Sequence, residues 1–246
     1  MKLEVSTMPR GKLNEKYVQE TANAWLLREL SNQTDVCAAT CRAEVRLNPS
    51  IVKYFGRADG LVAILKQSGE IYTASLEAKS SRTWKSISAS YSDTKWAFHI
   101  LTVGILCLIL GIYLGTLIDN TLWFWVLAIA IPLIGMFVYT LITAENKAYR
   151  TTGVIDQIRK YPANEQWIAL STDLFNRLSD GNRQLLLKDC RAYNIGILCV
   201  SPGRKVRCVF QPLRKTTIGL SENHLASYAS GGAIHRELMQ SAEKVD

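Results

Sequence analysis

Histidine is scarce in this 246-residue chain: three copies, of which His224 and His235 stand eleven residues apart, a spacing that matches no metal-ligand pattern. Of six cysteines, Cys37 and Cys41 are the only close pair, and no second pair or His-x-x-x-His follows them. That excludes a zinc knuckle and leaves the thiols as small buried residues of a reducing compartment. A glycine-rich phosphate loop, a GxSxG elbow and an HExxH helix are all absent, so P-loop nucleotide hydrolysis, serine-hydrolase chemistry and zincin proteolysis have no anchor here. There is no internal repeat. The opening stretch, MKLEVSTMPRGKLNEK, lacks an apolar core and does not read as a secretory signal.

Charge is missing from two long runs, Ala97 to Ile118 and Leu122 to Thr143. Each holds about 22 residues, roughly 33 Å as a helix at ~1.5 Å per residue, against a hydrocarbon core of about 30 Å. The segment HILTVGILCLILGIYLG is apolar all round, whereas a core helix of a soluble protein carries a polar stripe. Asp119-Asn120-Thr121 is the whole link, so the two spans must run antiparallel and both flanks fall on one side of a membrane. Arg82, Lys85 and Lys95 precede the pair, Lys147 and Arg150 follow it, and the tip carries only Asp119. The positive-inside rule then puts both termini in the cytoplasm of a two-pass integral membrane protein. Trp96, Tyr113, Trp123, Trp125 and Tyr139 sit near the span ends, as interfacial aromatics do, and His99 reads as a headgroup-level residue.

The formal net charge is +8. With the spans uncharged, this excess lies on the soluble part, about 200 residues, enough for one well-buried domain. A basic surface draws nucleic acid or anionic lipid. Arg204, Lys205, Arg207, Arg214 and Lys215 form one such cluster, equally readable as a backbone contact, a solvated edge or a lipid-facing surface.

Periodicity predicts an α/β arrangement. Leu13 to Leu30 is expected as a helix, with Leu13, Tyr17, Val18, Thr21, Trp25, Leu26 and Leu30 at helical spacing. Cys41 to Leu47 alternates as a strand. Ala58 to Leu65 and Ile71 to Lys79 are strands joined by the tight turn KQSGE. Side chains alternate along a strand, so Thr73, Ser75, Glu77 and Lys79 share one face while Tyr72, Ala74, Leu76 and Ala78 point into the core. The turn folds Asp59 back toward Glu77 and Lys79. After the spans, Gln166 to Leu170, Ile195 to Val200 and Val206 to Phe210 are expected strands and Asn182 to Tyr193 a helix. The region beyond Pro212 reads as a polar, partly flexible helical tail.

Two carboxylates and an ammonium on rigid strands match what phosphodiester hydrolysis needs. Carboxylates hold one or two Mg²⁺ ions, and a lysine orients or deprotonates the water or offsets developing charge. The D-x17-E-x-K spacing is by itself a weak pattern, and a solvated cross-strand pair has the same signature.

A helix bearing Glu15, then Asp59 before an apolar strand, then LEAKS, resembles the PD-(D/E)xK nuclease superfamily. The opening helix, GKLNEKYVQETANAWLLREL, looks like that of its Holliday-junction-resolvase and Mrr-like members. AYRTTGVIDQIRKYPANEQWIALST and NRQLLLKDCRAYNIGILCVSPGRKVRCVFQP resemble the elements that follow the catalytic strand. The likeness covers residues 10–95 and 145–215 as two parts of one nuclease-like domain, with the hairpin at 97–143 an insertion and 216–246 a tail. The usual proline before Asp59 is replaced by Arg57-Ala58.

This resemblance implies a restriction-endonuclease-like mixed sheet flanked by helices and interrupted by a transmembrane hairpin. Asp59 and Glu77 would be metal ligands for Mg²⁺, or Mn²⁺, with the Ala78 carbonyl able to join them. Lys79 would be the catalytic lysine and Glu15 the opening-helix glutamate that completes the site. Gln157 and Lys160 would be phosphate contacts, a packing role being the alternative for Gln157. The expected function is a membrane-anchored endonuclease cutting nucleic acid, DNA first, at the cytoplasmic face of a bacterial inner membrane, as a homodimer or alone. The alternatives are a catalytically silent module that tethers nucleic acid or a protein partner to the membrane, and an effector whose hairpin perturbs the bilayer.

Overall fold

The computed structural model describes residues 13–52, 56–83, 87, 89–91, 93–117, 121–143, 150–213 and 224–244. The chain divides into two compact units, one of residues 1–88 with 152–246 and a second of 89–151.

The first unit opens with helix α1, Glu15–Ser31, capped by the Asn14 side chain, which accepts from Tyr17 N–H at 2.7 Å. Strands β1 (Val36–Arg46), β2 (Arg57–Lys66) and β3 (Ile71–Lys79) follow. The later elements of the chain are strands β4 (Ala89–Tyr91), β5 (Arg150–Thr152), β6 (Glu165–Ser171), β7 (Ile195–Ser201) and β8 (Lys205–Phe210). Among them lie helices α2 (Asp93–Thr116), α3 (Thr121–Thr143), α4 (Gly153–Ile158), α5 (Thr172–Arg177), α6 (Asp180–Tyr193) and α7 (Gly231–Ala242). The main sheet has the order β1-β2-β3-β6-β7-β8. Its centre is parallel, β3 with β6 and β6 with β7, and its flanks are antiparallel. It is a mixed α/β sheet, as the sequence predicts.

Two apolar layers sandwich it. On one face, Val18, Ala22, Leu26 and Leu30 of α1 pack on Val62, Ile64, Tyr72, Ala74, Leu76 and Ala78. On the other, Ile155 and Ile158 of α4, Leu174 of α5, Leu186 of α6 and Ile234 and Leu238 of α7 cover Leu61, Ala63, Ile168 and Leu170. A fully buried Leu or Ile contributes about 1.5–3 kcal/mol relative to exposure.

All nine residues of β3 are buried, because helices cover both sides of the sheet, so its polar face is not the solvated cross-strand pair that the spacing also allowed. Two expectations need revision. β1 is longer than Cys41 to Leu47, starting at Val36. The end of the chain is not a loose tail. Tyr228 bridges to Leu47, Ala229 N–H donates to the Arg46 carbonyl, and Glu237 of α7 accepts from Thr40 Oγ1 at 2.9 Å and pairs with Arg42. Ile234 and Leu238, four residues apart, seal one face of α7 onto the sheet, and Leu225, in the turn before that helix, is buried in the same cluster.

The second unit is a helical hairpin with the short β4–β5 ribbon. Gly104 faces Met136, Gly111 faces Leu127 and Ala128, and Gly115 faces Phe124, a falling register that makes α2 and α3 antiparallel. A Cβ on Gly111 would lie 2.8 Å from the Leu127 carbonyl oxygen, so the backbones touch there as small-residue helix pairs do. The stretches Trp96–Thr116 and Trp123–Thr143 are long and apolar enough to cross a membrane, and only 6% and 11% of them is buried. Leu101, Ile105, Phe137 and Ile142 are open to the surroundings. Lys85, Asp119 and Lys147, which carried the topology reading, lie outside the described residues, as do Arg214 and Lys215 of the basic cluster.

α1 rides unusually close to β2. A Cβ added to Gly60 would meet Asn23 Oδ1 at 1.9 Å, and that oxygen is buried with no partner. Gly60→Ala is therefore expected to cost about 1–3 kcal/mol of stability through overpacking. Adding Asn23→Ala should restore most of the lost melting temperature, since it vacates the space without stranding a donor. Thermal denaturation of both variants checks this; an unaltered melting temperature in Gly60→Ala would contradict the close approach.

Candidate active site

The site sits where β2 and β3 part. Their ladder runs from Leu65↔Ile71 to Gly60↔Leu76 and stops. One step further, the same register would set Asp59 opposite Glu77, two carboxylates facing each other directly, an arrangement that repels. β2 instead stays with β1 to Arg46↔Arg57, and β3 stays with β6 to Lys79↔Leu170. A wedge opens between them, and the side chain of Asp59 fills in for the missing ladder: its Oδ2 accepts from Ala78 N–H at 2.8 Å. A strand residue presents its N–H and C=O on the same side, so the Ala78 carbonyl also leaves toward this wedge.

Glu77 and Lys79 line the wedge, at 1% and 6% exposure. Lys79 Nζ donates to Glu77 Oε1 at 2.5 Å. Gln157, from α4, donates to the same oxygen at 2.5 Å. Glu77 Oε2 is buried and accepts nothing. An unpartnered buried carboxylate oxygen is costly, and such an atom in a wedge beside a second carboxylate asks for a cation. Glu15, at the start of α1, accepts from Thr83 Oγ1 at 2.9 Å and acts electrostatically on both Asp59 and Glu77.

The titration behaviour follows from this crowding. Burial, and then the Asp59 charge, push the Glu77 carboxyl up to about 7. Burial also raises Asp59, against the pull of the Ala78 N–H and the Lys79 charge. For Lys79, burial disfavours the ammonium, but Glu77, with Glu15 and Asp59 behind it, outweighs that and holds its pKa above the ordinary lysine value. Within the pair, the glutamate is pushed toward its neutral form and the lysine is held toward its charged form.

Asp59, Glu77 and Lys79 thus come together as the sequence pattern proposed, and Glu15 lies at their margin. Gln157 reaches the cluster through Glu77. Lys160 is exposed and makes no hydrogen bond or ion pair with the cluster among the described residues. Sequence reading missed Tyr161, whose side chain pairs with Gln157 and feels the charge of Glu77 and Asp59. It also missed Gln19, which donates to the Asp59 carbonyl, and Thr83. A signal was present for Gln19: Glu15, Gln19 and Asn23 recur every four residues, a polar row along an otherwise apolar face of α1, and the last two are buried.

Among the described residues no three of His, Cys, Asp and Glu assemble into a ligand set. The donors here are two carboxylates and a backbone carbonyl. A hard cation of the Mg²⁺ class, which keeps several waters and takes one or two protein carboxylates, fits that set, which holds none of the histidine or cysteine ligands that zinc favours. The chain matches no family model, no curated protein and no solved structure.

The raised Glu77 pKa sets a direction for stability in chelator. Below about pH 4.5 the carboxyl is neutral folded and unfolded alike. Between there and about 7 the folded state holds the proton more tightly, so stability attributable to this group declines as pH rises, and levels off above about 7. In EDTA, the melting temperature of Glu77→Gln should fall less steeply from pH 5 to 8 than that of wild type. Identical slopes would remove Glu77 as the titrating group.

Proposed function

We propose that the chain is a membrane-anchored, divalent-metal-dependent endonuclease of the PD-(D/E)xK kind, hydrolysing nucleic-acid phosphodiesters, DNA first, at the cytoplasmic face. The observation that carries it is the wedge holding Asp59, Glu77 and Lys79 together, with a buried, unpartnered Glu77 oxygen facing it. The element order supports the same reading: a helix, three antiparallel strands, a helix and a parallel strand, with the cluster where the second and third strands separate, is what a restriction-endonuclease-like domain would present.

Asp59, Glu77 and the Ala78 carbonyl would hold Mg²⁺ or Mn²⁺. When bound, such an ion neutralises phosphate charge and lowers the pKa of a coordinated water. The chain's own residues supply the rest. Gln157 and Lys79 both bind Glu77 Oε1, which orients that carboxylate and leaves Oε2 for the cation. Its acidic neighbours hold the Lys79 pKa above the ordinary lysine value, which favours the ammonium and a role in stabilising negative charge developing on the phosphate. The labile proton is that of Glu77. A cation competes with it, so metal-dependent activity should strengthen as pH rises through about 7.

The hairpin supplies the anchor in this reading. Its uncovered apolar surface is far larger than soluble monomers expose, and acyl chains are the solvent that suits it. The tethering module draws on one observation, the absence of a three-residue ligand set among the described residues. It differs from the nuclease in binding nucleic acid without cutting it.

Detergent-purified protein with plasmid and oligonucleotide substrates separates the two. Cleavage should require Mg²⁺ or Mn²⁺, stop in EDTA, and fall at least about a hundredfold in Asp59→Ala, Glu77→Ala and Lys79→Ala. Binding retained with no cleavage in any metal would replace the nuclease with the tether. For the anchor, Thr121→Cys in intact cells should react with a membrane-impermeant maleimide while the exposed Cys208 stays protected; the reverse pattern would invert the topology.

A further inference from the structure

A second charged feature lies on the α1 side of the sheet. The turn from β7 to β8 passes through two consecutive left-handed residues, Gly203 at φ 75° and Arg204 at φ 58°. Glycine takes this conformation freely, whereas the Cβ of an arginine disfavours it. Something must hold it there, and Tyr17 does: the Arg204 N–H donates to the Tyr17 hydroxyl at 2.7 Å. The pinned turn stands beside α1, and between them is an open cavity of about 730 Å³. Glu20, Trp25 and Arg28 line it from α1, Arg204 from the turn and Lys205 from the start of β8.

Three of these side chains are cations, exposed and with no ion pair to a carboxylate among the described residues; the one carboxylate of the lining, Glu20, lies 4.0 Å from Lys16. Trp25 is half-buried, braced edge-on against Trp167 with ring centroids 5.9 Å apart. A rigid aromatic surface ringed by unpaired cations suits a polyanion that also carries flat rings. Single-stranded nucleic acid is that ligand: its phosphates satisfy the cations, and its unpaired bases can stack, which the paired bases of a duplex cannot. An anionic lipid headgroup would use the same cations, and a tryptophan suits a headgroup region as well, so the vesicle arm of the test below separates the two.

We propose that the groove between α1 and the β7–β8 turn binds single-stranded nucleic acid, with a base on Trp25 and the backbone along Arg28, Arg204 and Lys205. This rests on the nucleic-acid reading of the protein but not on cleavage. It assigns a substrate class: molecules with an unpaired flank, such as a frayed end, flap or displaced strand, held here while a phosphodiester enters the wedge.

The test is binding of fluorescein-labelled oligo-dT and of a blunt duplex to the full detergent-solubilised chain in EDTA, read by anisotropy. Oligo-dT should bind more tightly than the duplex. Arg28→Gln with Lys205→Gln should weaken oligo-dT at least about tenfold, and Trp25→Leu about tenfold as well, with Trp25→Phe recovering most of that loss. The charge variants are on exposed positions, so they remain informative if Trp25→Leu melts early. Unchanged oligo-dT affinity in Arg28→Gln with Lys205→Gln would overturn the proposal. So would equal losses for oligo-dT and duplex, or dependence on these residues seen only with phosphatidylglycerol vesicles. Groove-dependent binding without any metal-dependent cleavage would sink the nuclease and spare the groove; cleavage indifferent to the groove variants would do the opposite.

Discussion

The parting of β2 from β3 beyond Gly60 and Leu76 organises this protein. Two neighbouring strands each keep an outer partner, β1 on one side and β6 on the other, and cannot keep each other. The backbone groups released at Ala78 need a partner inside a buried sheet, and the Asp59 carboxylate provides one. A catalytic-type acid therefore also closes the sheet, so its position is held by the same forces that hold the fold. The close seat of α1 on Gly60, and the Gln19 bond to the Asp59 carbonyl, brace the strand from behind.

Burial then decides the chemistry. Glu77 lies among groups that solvate one of its oxygens twice and the other not at all. Its raised pKa and the raised pKa of Lys79 are two sides of one arrangement: negative charge concentrated in a wedge, with a single ammonium to offset it. A solvated strand face would have screened these charges and left both residues ordinary. The two-sided helical cover, which includes Tyr228 and α7 from the end of the chain, is what buries the cluster and shifts its titration.

The second unit is organised the other way round. In the sheet unit apolar groups face inward, and buried polar atoms such as Asn23 Oδ1 and Glu77 Oε2 that find no partner are exceptions. In the hairpin the small residues face inward, Gly104, Gly111 and Gly115 against α3, and the large apolar ones face out. That inversion is what helix packing looks like when the surroundings are as apolar as leucine. The chain resolves the two demands by confining the second to one uninterrupted insertion between β3 and α4.

Much of this was legible in the residues alone. Uncharged runs of span length, alternation in IYTASLEAK and the tight turn between two strands each depend on nearest neighbours in sequence, and these determined the hairpin, the strand pair and the shared face of Glu77 and Lys79. The Asp59–Glu77–Lys79 grouping followed from the same local geometry. What the tertiary structure decided was everything that depends on which distant segments meet. Gln157 and Tyr161 reach Glu77 from beyond an insertion of some sixty residues. The buried state of a face that alternation alone also allows to be solvated, the docked end of the chain, and the meeting of Arg204 with Tyr17 and Trp25 are likewise set by long-range packing. Period and composition report the environment a segment prefers; they do not report its partners, and both burial and pKa belong to the partners.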